Sequence, residues 1–487
     1  MFTALKGLDL SLFSFLFLCF SLVDWVILPA SLARSQPEKL ICPSQLKSQI
    51  EAIINVPQFQ RSRWGILIQP LGSFTPLYHL EAKHYFTAAS TVKLITTAVA
   101  LHELGSNFRI RTSIYGDNQG NLFVVGRGDP SLTNTQLQDL AQQLNQKGIT
   151  QVNHLYADNS YFSGAAIEPS WEWEDIQAGY GAPINSLILN QNSLDLILTP
   201  QAVGQPLKVS WVRPQQSNGW QIDNQSITVA QNQPEFVEIG RDLTQSLLQI
   251  GGQLRVGSQP EPVYAAVVHP AENFIQEFQN TLEGLGIEVN QNSVLEQEIT
   301  TQLQELAWIE SPPISELIQV VNLESNNVFS GALLQTLGIK KNPQDTVTGG
   351  LEKIQETLEK WGINSESFVL VDGSGLSRQN WVSPEALVQL LQVMATLPDF
   401  ELYQNSLPVA GVSGTLEKRF LNTSAVGIVR AKTGTLTGVS TLAGYINPPN
   451  YSSLVFSIML NQSDQSTRES RQAIDQIILL LTHLKSC

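Results

Sequence analysis

The sequence predicts an α+β protein in which an antiparallel sheet is flanked by helices and carries a helical subdomain. Two observations support this prediction. Helix and strand patterns alternate near the start of the chain, and helices followed by a hairpin and a last helix return near its end, with a long β-rich stretch between them. The 487 residues also exceed what one hydrophobic core normally organises, so several domains are expected.

The first elements follow from apolar spacing and turn residues. A helix is predicted over residues 44–54, a strand over 64–70 and its hairpin partner over 76–80, with Gly72 and Ser73 at the turn. A second helix is predicted to open near Ser90 and to end at Gly105. Its buried side should carry Val92, Ile95, Ala98, Leu101 and Leu104.

The middle of the chain is predicted to be an insertion. A hairpin over 109–115 and 121–125 leads into two helix-then-strand units, at 135–157 and 273–289. The stretch between these units is rich in Gln and Asn and shows no helical period. We therefore expect a main domain at 34–106 and 301–487, an inserted domain at 107–193 and 264–300, and a small β-rich domain at 194–263 nested inside the insert.

The last third is predicted to return to the main domain. Helical patterns lie at 314–321, 329–337, 346–361 and 383–397, strands at 427–433, 440–446 and 453–460, and a closing helix at 466–485. The first and last helices are expected on one face of the sheet and the helical subdomain on the other.

The N-terminal 33 residues have the pattern of a signal peptide. Lys6 precedes an apolar run over 10–23, and Ser31-Leu32-Ala33 offers small residues for cleavage. An uncleaved anchor is the alternative, but Asp24 interrupts the run well before the roughly 20 residues that span a bilayer. We predict export to the periplasm and no membrane span in the mature chain.

Charge and composition exclude several classes of partner. The formal net charge of −15 argues against nucleic acid or an anionic membrane surface. The six histidines are scattered, so neither a metal site nor a cofactor is expected. Cys42 and Cys487 could form a disulfide if the terminal helices pack side by side, and two free thiols are an equal alternative.

A Ser-x-x-Lys pair at the start of the second predicted helix is the first candidate for catalysis. Three residues of helix place Ser90 and Lys93 on one face, within reach of each other. A desolvated Lys93 amine would have a lowered pKa and could activate the Ser90 hydroxyl as a nucleophile. The same pattern occurs at Ser44 and Lys47, so the spacing alone cannot identify the site.

Two further motifs follow in order along the chain. Ser325 and Asn327 form a Ser-x-Asn at the start of a predicted helix. Lys432, Thr433 and Gly434 form a Lys-Thr-Gly on a predicted strand, where the glycine lets a substrate backbone lie alongside.

The three motifs in this order are the signature of penicillin-binding proteins and serine β-lactamases. Further stretches resemble the D-alanyl-D-alanine carboxypeptidase/endopeptidase family, the class C low-molecular-mass penicillin-binding proteins; they are residues 90–94, 125–133, 156–162, 372–377 and 407–411. The sequence separation of 235 between Ser90 and Ser325 matches this family's habit of inserting two domains there. The resemblance implies a transpeptidase-like fold of the penicillin-binding-protein and serine β-lactamase type.

The resemblance also implies a role for each motif residue. Ser90 would attack the carbonyl between two D-alanines while Lys93 takes its proton, and Ser325, tuned by Lys432, would protonate the leaving amine. Asn327 would bind the amide of the substrate's acyl side chain. Lys432 and Thr433 would bind the terminal carboxylate of the substrate. The backbone N–H groups of Ser90 and Thr435 would form the oxyanion hole. The run Asp372-Gly373-Ser374-Gly375 is compatible with either a plain turn or a substrate contact.

The expected function is hydrolysis of peptidoglycan stem peptides, with β-lactam antibiotics as covalent inhibitors. Two alternatives fit the same motifs. A serine β-lactamase would turn penicillin over rapidly, although no added deacylation base is visible. A non-catalytic module that binds murein or β-lactams would be acylated without releasing D-alanine.

Overall fold

The computed structural model describes residues 40–217, 219–242, 244–297 and 303–487, and the predicted signal peptide lies outside them. Within these ranges no helix combines the length and the apolar character needed to cross a bilayer. The helices are α1 (Pro43–Ile54), α2 (Val92–Leu104), α3 (Asn134–Gln146), α4 (Pro270–Gly284), α5 (Ile314–Leu323), α6 (Asn327–Gly338), α7 (Thr346–Lys360), α8 (Pro384–Met394), α9 (Phe400–Asn405) and α10 (Thr467–Thr482).

The strands are β1 (Arg63–Pro70), β2 (Tyr78–Leu80), β3 (Phe86–Thr87), β4 (Arg111–Gly116), β5 (Leu122–Val125), β6 (Gln151–Val152), β7 (Leu155–Asp158), β8 (Ser193–Thr199), β9 (Lys208–Trp211), β10 (Gln221–Asn224), β11 (Ile227–Val229), β12 (Phe236–Arg241), β13 (Leu247–Arg255), β14 (Glu261–Ala266), β15 (Glu288–Val289), β16 (Asn292–Leu295), β17 (Gln304–Glu310), β18 (Phe368–Val369), β19 (Trp381–Val382), β20 (Val429–Leu436), β21 (Val439–Ile446) and β22 (Leu454–Asn461).

The main sheet is antiparallel, in the order β2-β1-β22-β21-β20. Successive side chains of a strand point to opposite faces, so each strand serves two cores. Ile66 and Ile68 belong to the core that contains α1 and α10. Leu67 belongs to the core that contains α2, α5, α6 and α8. This arrangement confirms the predicted α+β architecture, with the terminal helices on one face of the sheet and the helical subdomain on the other.

The insert between α2 and α5 has its own sheet, in the order β16-β7-β5-β4-β17, with α3 and α4 packed on it. The strands β8 to β14 form a further hydrophobic cluster, and β8 pairs with β14 where the chain enters and leaves it. Two strand pairings extend this description. β17, which follows residue 300, pairs with β4, and the strands β6 and β7 at the end of the first predicted helix-then-strand unit join different sheets. The predicted domain boundaries stay a prediction.

The two ends of the described chain are tied together. Helices α1 and α10 pack against each other, and the backbone N–H of Ile41 donates to the His483 carbonyl at 2.9 Å. Cys42 and Cys487 form a disulfide beside this contact. The sequence was compatible with either a disulfide or two free thiols, and the structure contains the disulfide.

Candidate active site

Ser90 lies in a 3₁₀ turn, Ala89–Thr91, immediately before α2. The sequence predicted that Ser90 opens the α-helix, but the α-helix begins two residues later, because Ala89 adopts a left-handed φ of +49°. A positive φ outside glycine is strained and is held in place by its surroundings. The Ser90 side chain remains partly accessible, whereas the next ten residues, Thr91 to Ala100, are buried.

Burial of α2 on all sides is a second difference from the prediction, which expected one apolar face. The helix is surrounded by α5, α6, α7, α8 and α9, so few of its side chains reach solvent. Leu104, predicted to be buried, is only half-buried at the C-terminal end. Lys93 is therefore desolvated by its position in the fold, and its side chain is 0 % exposed.

The Lys93 amine contacts three oxygen atoms. Its Nζ lies 3.0 Å from Ser90 Oγ, 2.6 Å from Asn327 Oδ1 and 2.6 Å from the Ser374 carbonyl oxygen. Burial lowers the pKa of Lys93 to about 7, and the nearby Asp372 carboxylate opposes this shift. In the neutral form, the two carbonyl oxygens take the two N–H donors. The lone pair of the amine is then left facing the Ser90 hydroxyl.

The loop at residues 372–377, here called the Asp372 loop, carries the Ser374 carbonyl that accepts a hydrogen bond from Lys93. The Asp372 carboxylate accepts hydrogen bonds from the backbone N–H groups of Ser374, Gly375 and Ser377, and from Trp171 Nε1. A Cβ at Gly375 would lie 1.9 Å from the Ala89 carbonyl oxygen, so only glycine lets this loop rest against the Ser90 turn. The loop thus contacts Lys93 through its backbone.

The second serine is paired with the second lysine. Ser325 has a left-handed φ of +61°, and its hydroxyl accepts a hydrogen bond from Lys432 Nζ at 2.8 Å. Lys432 also donates to the Thr433 carbonyl at 2.9 Å and is fully buried. Burial, and then the nearby Lys93 ammonium, hold the pKa of Lys432 well below its usual range. Segments far apart in the sequence therefore place two serines and two amines in one cluster.

The strand β20 passes close to Ser90 because Gly434 has no side chain. A Cβ there would lie 3.0 Å from the Ser90 amide nitrogen and 2.9 Å from the Ala88 carbonyl oxygen. The neighbouring residues Thr433 and Thr435 project from the same side of the strand. The Thr433 hydroxyl donates to Thr415 Oγ1 at 2.8 Å.

Asn327 is more heavily engaged than the resemblance implied. Its Oδ1 accepts from Lys93, and its Nδ2 donates to the Tyr180 carbonyl at 2.9 Å. An amide nitrogen carries two hydrogens, so one donor remains for a substrate carbonyl. The preceding Asn326 caps α6 and donates to Gln191 at 2.7 Å, which ties this motif to the insert.

The second Ser-x-x-Lys pair lies away from this cluster, on α1. Ser44 and Lys47 are both exposed, and Lys47 pairs with Glu51, one helical turn later, at 3.9 Å. Neither residue shows the burial or the contacts of Ser90 and Lys93.

Several contacts were missed by sequence reasoning. The Ser374 carbonyl, the Tyr180 carbonyl and Thr415 all contact motif residues. The Asp-Gly-Ser-Gly run was a visible signal for the first contact. Every residue has a backbone carbonyl, so no side-chain pattern in the sequence could indicate the contact between the Tyr180 carbonyl and Asn327. Thr415 is adjacent to Thr433 only through tertiary packing.

A family profile and two relatives of known function all identify carboxypeptidases as the proteins to which this chain is similar. Residues 46–483 match the profile of the D-Ala-D-Ala carboxypeptidase 3 (S13) family. The chain is 30% identical to penicillin-sensitive carboxypeptidase A of Dictyostelium discoideum, over 86% of this chain and 87% of that protein. It is also 30% identical to the D-alanyl-D-alanine carboxypeptidase of Actinomadura sp. (strain R39), over 91% of this chain and 86% of the relative.

A solved structure shares the fold. The crystal structure of penicillin binding protein 4 (dacB) from Haemophilus influenzae superposes with a TM-score of 0.75 at 25% identity, covering 91% of this chain and 98% of that one. A second structure of that protein, in complex with a β-lactam, superposes with a TM-score of 0.70.

Proposed function

Because this chain belongs to the D-Ala-D-Ala carboxypeptidase 3 (S13) family and is a serine D-Ala-D-Ala carboxypeptidase, we propose that Ser90 is its nucleophile. The single observation that carries the proposal is the 3.0 Å approach of the buried Lys93 amine to the Ser90 hydroxyl. An amine with a pKa of about 7 is substantially neutral at physiological pH and can accept the hydroxyl proton.

Acylation begins when Ser90 Oγ attacks the carbonyl between the two D-alanines and its proton passes to Lys93. The oxygen of the tetrahedral intermediate accepts hydrogen bonds from the backbone N–H groups of Ser90 and Thr435. The close packing of Gly434 on the Ser90 turn supports this assignment. The 3₁₀ turn and the start of α2 add partial positive charge at the same place.

Collapse of the intermediate breaks the C–N bond and releases D-alanine. Ser325 gives its hydroxyl proton to the leaving amine, and the Lys432 amine, 2.8 Å away, assists that transfer. The proton taken up by Lys93 then restores the hydroxyl of Ser325 through the cluster of amines. The acyl group remains bound to Ser90 as an ester.

Hydrolysis completes the cycle. A water molecule attacks the ester carbon, its hydroxide joins the acyl group, and its remaining proton returns to Ser90 Oγ through Lys93. During both steps the free hydrogen of Asn327 Nδ2 binds a carbonyl of the substrate. The products are the shortened stem peptide and the starting enzyme.

The substrates we propose are peptidoglycan stem peptides that end in D-Ala-D-Ala, together with the D,D-cross-links between them. β-Lactams would acylate Ser90 as covalent inhibitors. The structure of the Haemophilus influenzae protein in complex with a β-lactam supports this proposal.

Incubation of purified protein with muropeptides tests the activity. Wild type should release D-alanine from pentapeptides, and Ser90→Ala should release none above background. A separate assay with cross-linked muropeptide dimers measures the endopeptidase reaction, in which cleavage of the D,D-cross-link yields monomers. Product formation by Ser90→Ala at the wild-type rate would overturn the proposal.

We also propose that the protein works in the periplasm after export. The Cys42–Cys487 disulfide supports this, because such bonds persist in oxidising compartments. Fractionation followed by N-terminal sequencing should find a chain that starts after Ala33 in the periplasmic fraction. Recovery from the cytoplasm with residues 1–33 intact would contradict the proposal.

A further inference from the structure

The proposed substrates end in a carboxylate, and the site needs a cation to bind it. Lys93 and Lys432 are both fully buried, and their Nζ atoms are already engaged by Ser90, Asn327, Ser325 and backbone carbonyls. Burial favours the neutral form of both amines. A neutral amine provides little attraction for an anion, so Lys432 is poorly suited to carry the charge of carboxylate recognition.

A permanent cation lies beside the next residue of the motif strand. Arg471, in the second turn of α10, is exposed to solvent, and its Nη2 donates to Thr435 Oγ1 at 3.1 Å. Thr433 and Thr435 project from one side of β20, the side that faces α10. β20 is the edge strand of the main sheet, and its Gly434 packs on the Ser90 turn. The guanidinium therefore contacts a hydroxyl of the strand that borders the catalytic groove.

The surroundings of Arg471 leave its charge available. Among the residues that the structure describes, Arg471 forms no ion pair, and the nearby Asp475 carboxylate is bound by Arg419. Burial and Arg419 lower the pKa of Arg471, while Asp475 raises it. A guanidinium nevertheless remains protonated throughout the working range of an enzyme.

We propose that Arg471, together with the Thr435 hydroxyl, binds the terminal carboxylate of the substrate. The guanidinium presents parallel N–H donors that match the two oxygens of a carboxylate, whereas an ammonium offers a single point of charge. The hydroxyl of Thr433, 2.8 Å from Thr415 Oγ1, is a further polar group on the same side of β20 as Thr435. This inference rests on the proposed function and assigns a specificity-determining residue to it.

The test compares ligands that differ only at the carboxylate. Second-order acylation rates with benzylpenicillin and with its methyl ester are measured by mass spectrometry for wild type, Arg471→Ala and Arg471→Lys. Arg471→Ala should acylate about tenfold more slowly with the acid, the size expected for a lost hydrogen bond to a charged group, and less than about twofold more slowly with the ester. Arg471→Lys should retain part of the rate, since it keeps the charge but loses the planar donors.

A peptide substrate gives a second readout. For a peptide ending in D-Ala-D-Ala, Arg471→Ala should raise KM and leave kcat close to wild type, because the carboxylate contact exists before and during the reaction. Arg468→Ala is the matched control: Arg468 is an exposed arginine on the same helix, three positions earlier. It should react at the wild-type rate with all three ligands.

The outcomes separate this inference from the proposed function. An equal loss with acid and ester would show that Arg471 only positions β20, and no loss with either would show that it takes no part. Both results overturn the inference while leaving the nucleophile in place. Covalent adduct formation by Ser90→Ala would instead overturn the proposed function.

Discussion

Two Ser-x-x-Lys pairs occupy this chain, one on α1 and one at the start of α2, and their surroundings differ completely. Lys47 is exposed and reaches Glu51 at 3.9 Å, a surface pair that contributes little. Lys93 is fully buried, and its amine meets Ser90, Asn327 and Ser374 within 3.0 Å. Spacing brings a lysine within reach of a serine, but burial is what lowers the pKa of Lys93 toward neutrality.

The α1 region has a different task. Cys42 precedes the helix and is bonded to Cys487, and the buried face of α1 packs with α10 against the main sheet. One pair therefore belongs to a region that stabilises the fold, and the other to the region where we propose that the chemistry takes place. Substitutions in the two regions test that division.

Replacement of Ser90 and of Ser44 by alanine should give the largest difference in activity between the two Ser-x-x-Lys pairs. Ser90→Ala should lose the covalent penicillin adduct and slow D-alanine release by about a million-fold, as when a serine nucleophile is removed elsewhere. Ser44→Ala should match wild type in both assays. Intact-mass spectrometry after incubation with benzylpenicillin measures the first effect, and an adduct on the Ser90→Ala protein would contradict the assignment.

Exchange of the lysines should come next. Lys93→Met removes the base and should slow acylation by about a thousand-fold, within the range of general-base catalysis, while Lys47→Met should have no effect. In wild type, the acylation rate should rise with pH through about 7, because the neutral form of Lys93 accepts the proton. A rate that falls between pH 6 and pH 8 would refute this role.

Removal of the disulfide should affect stability and not chemistry. The bond closes a loop with a sequence separation of 445, and Cys42→Ser should lower the free energy of unfolding by about 2–4 kcal/mol. Denaturant titration measures this loss, and acylation at 25 °C should remain at the wild-type rate. Cys487→Ser and the double variant should show the same loss as the single change. Additive losses would indicate separate roles for the two residues.

A charge change near Lys93 should have the smallest effect. The Asp372 carboxylate raises the pKa of Lys93, so Asp372→Asn should lower that pKa and move the acidic limb of the acylation profile to lower pH. Trp171→Phe is the control, since it removes one hydrogen bond to Asp372 and keeps the charge. A profile that moves to higher pH in Asp372→Asn would contradict the electrostatic explanation.

Much of the fold could be predicted because apolar periodicity reports which faces are buried. Ile66 and Ile68 alternate with Leu67 as a strand between two cores requires, and the closing helix shows its apolar stripe directly. The prediction failed where pairing decided the structure. No strand was predicted at residues 304–310, but they form the edge strand beside β4, a partner almost two hundred residues earlier.

The three motifs, their order and the serine chemistry that they imply could be established from the residues alone, because they depend on which side chains are present and on local spacing. Three features became visible only in the folded chain: which Ser-x-x-Lys pair is desolvated, that Ser374 and Tyr180 offer carbonyls to the motif residues, and that Arg471 contacts Thr435. The physical reason is that burial and backbone contacts arise between segments remote in the chain. A pKa close to neutrality is therefore a property of the folded environment of Lys93 and not of its neighbours in sequence.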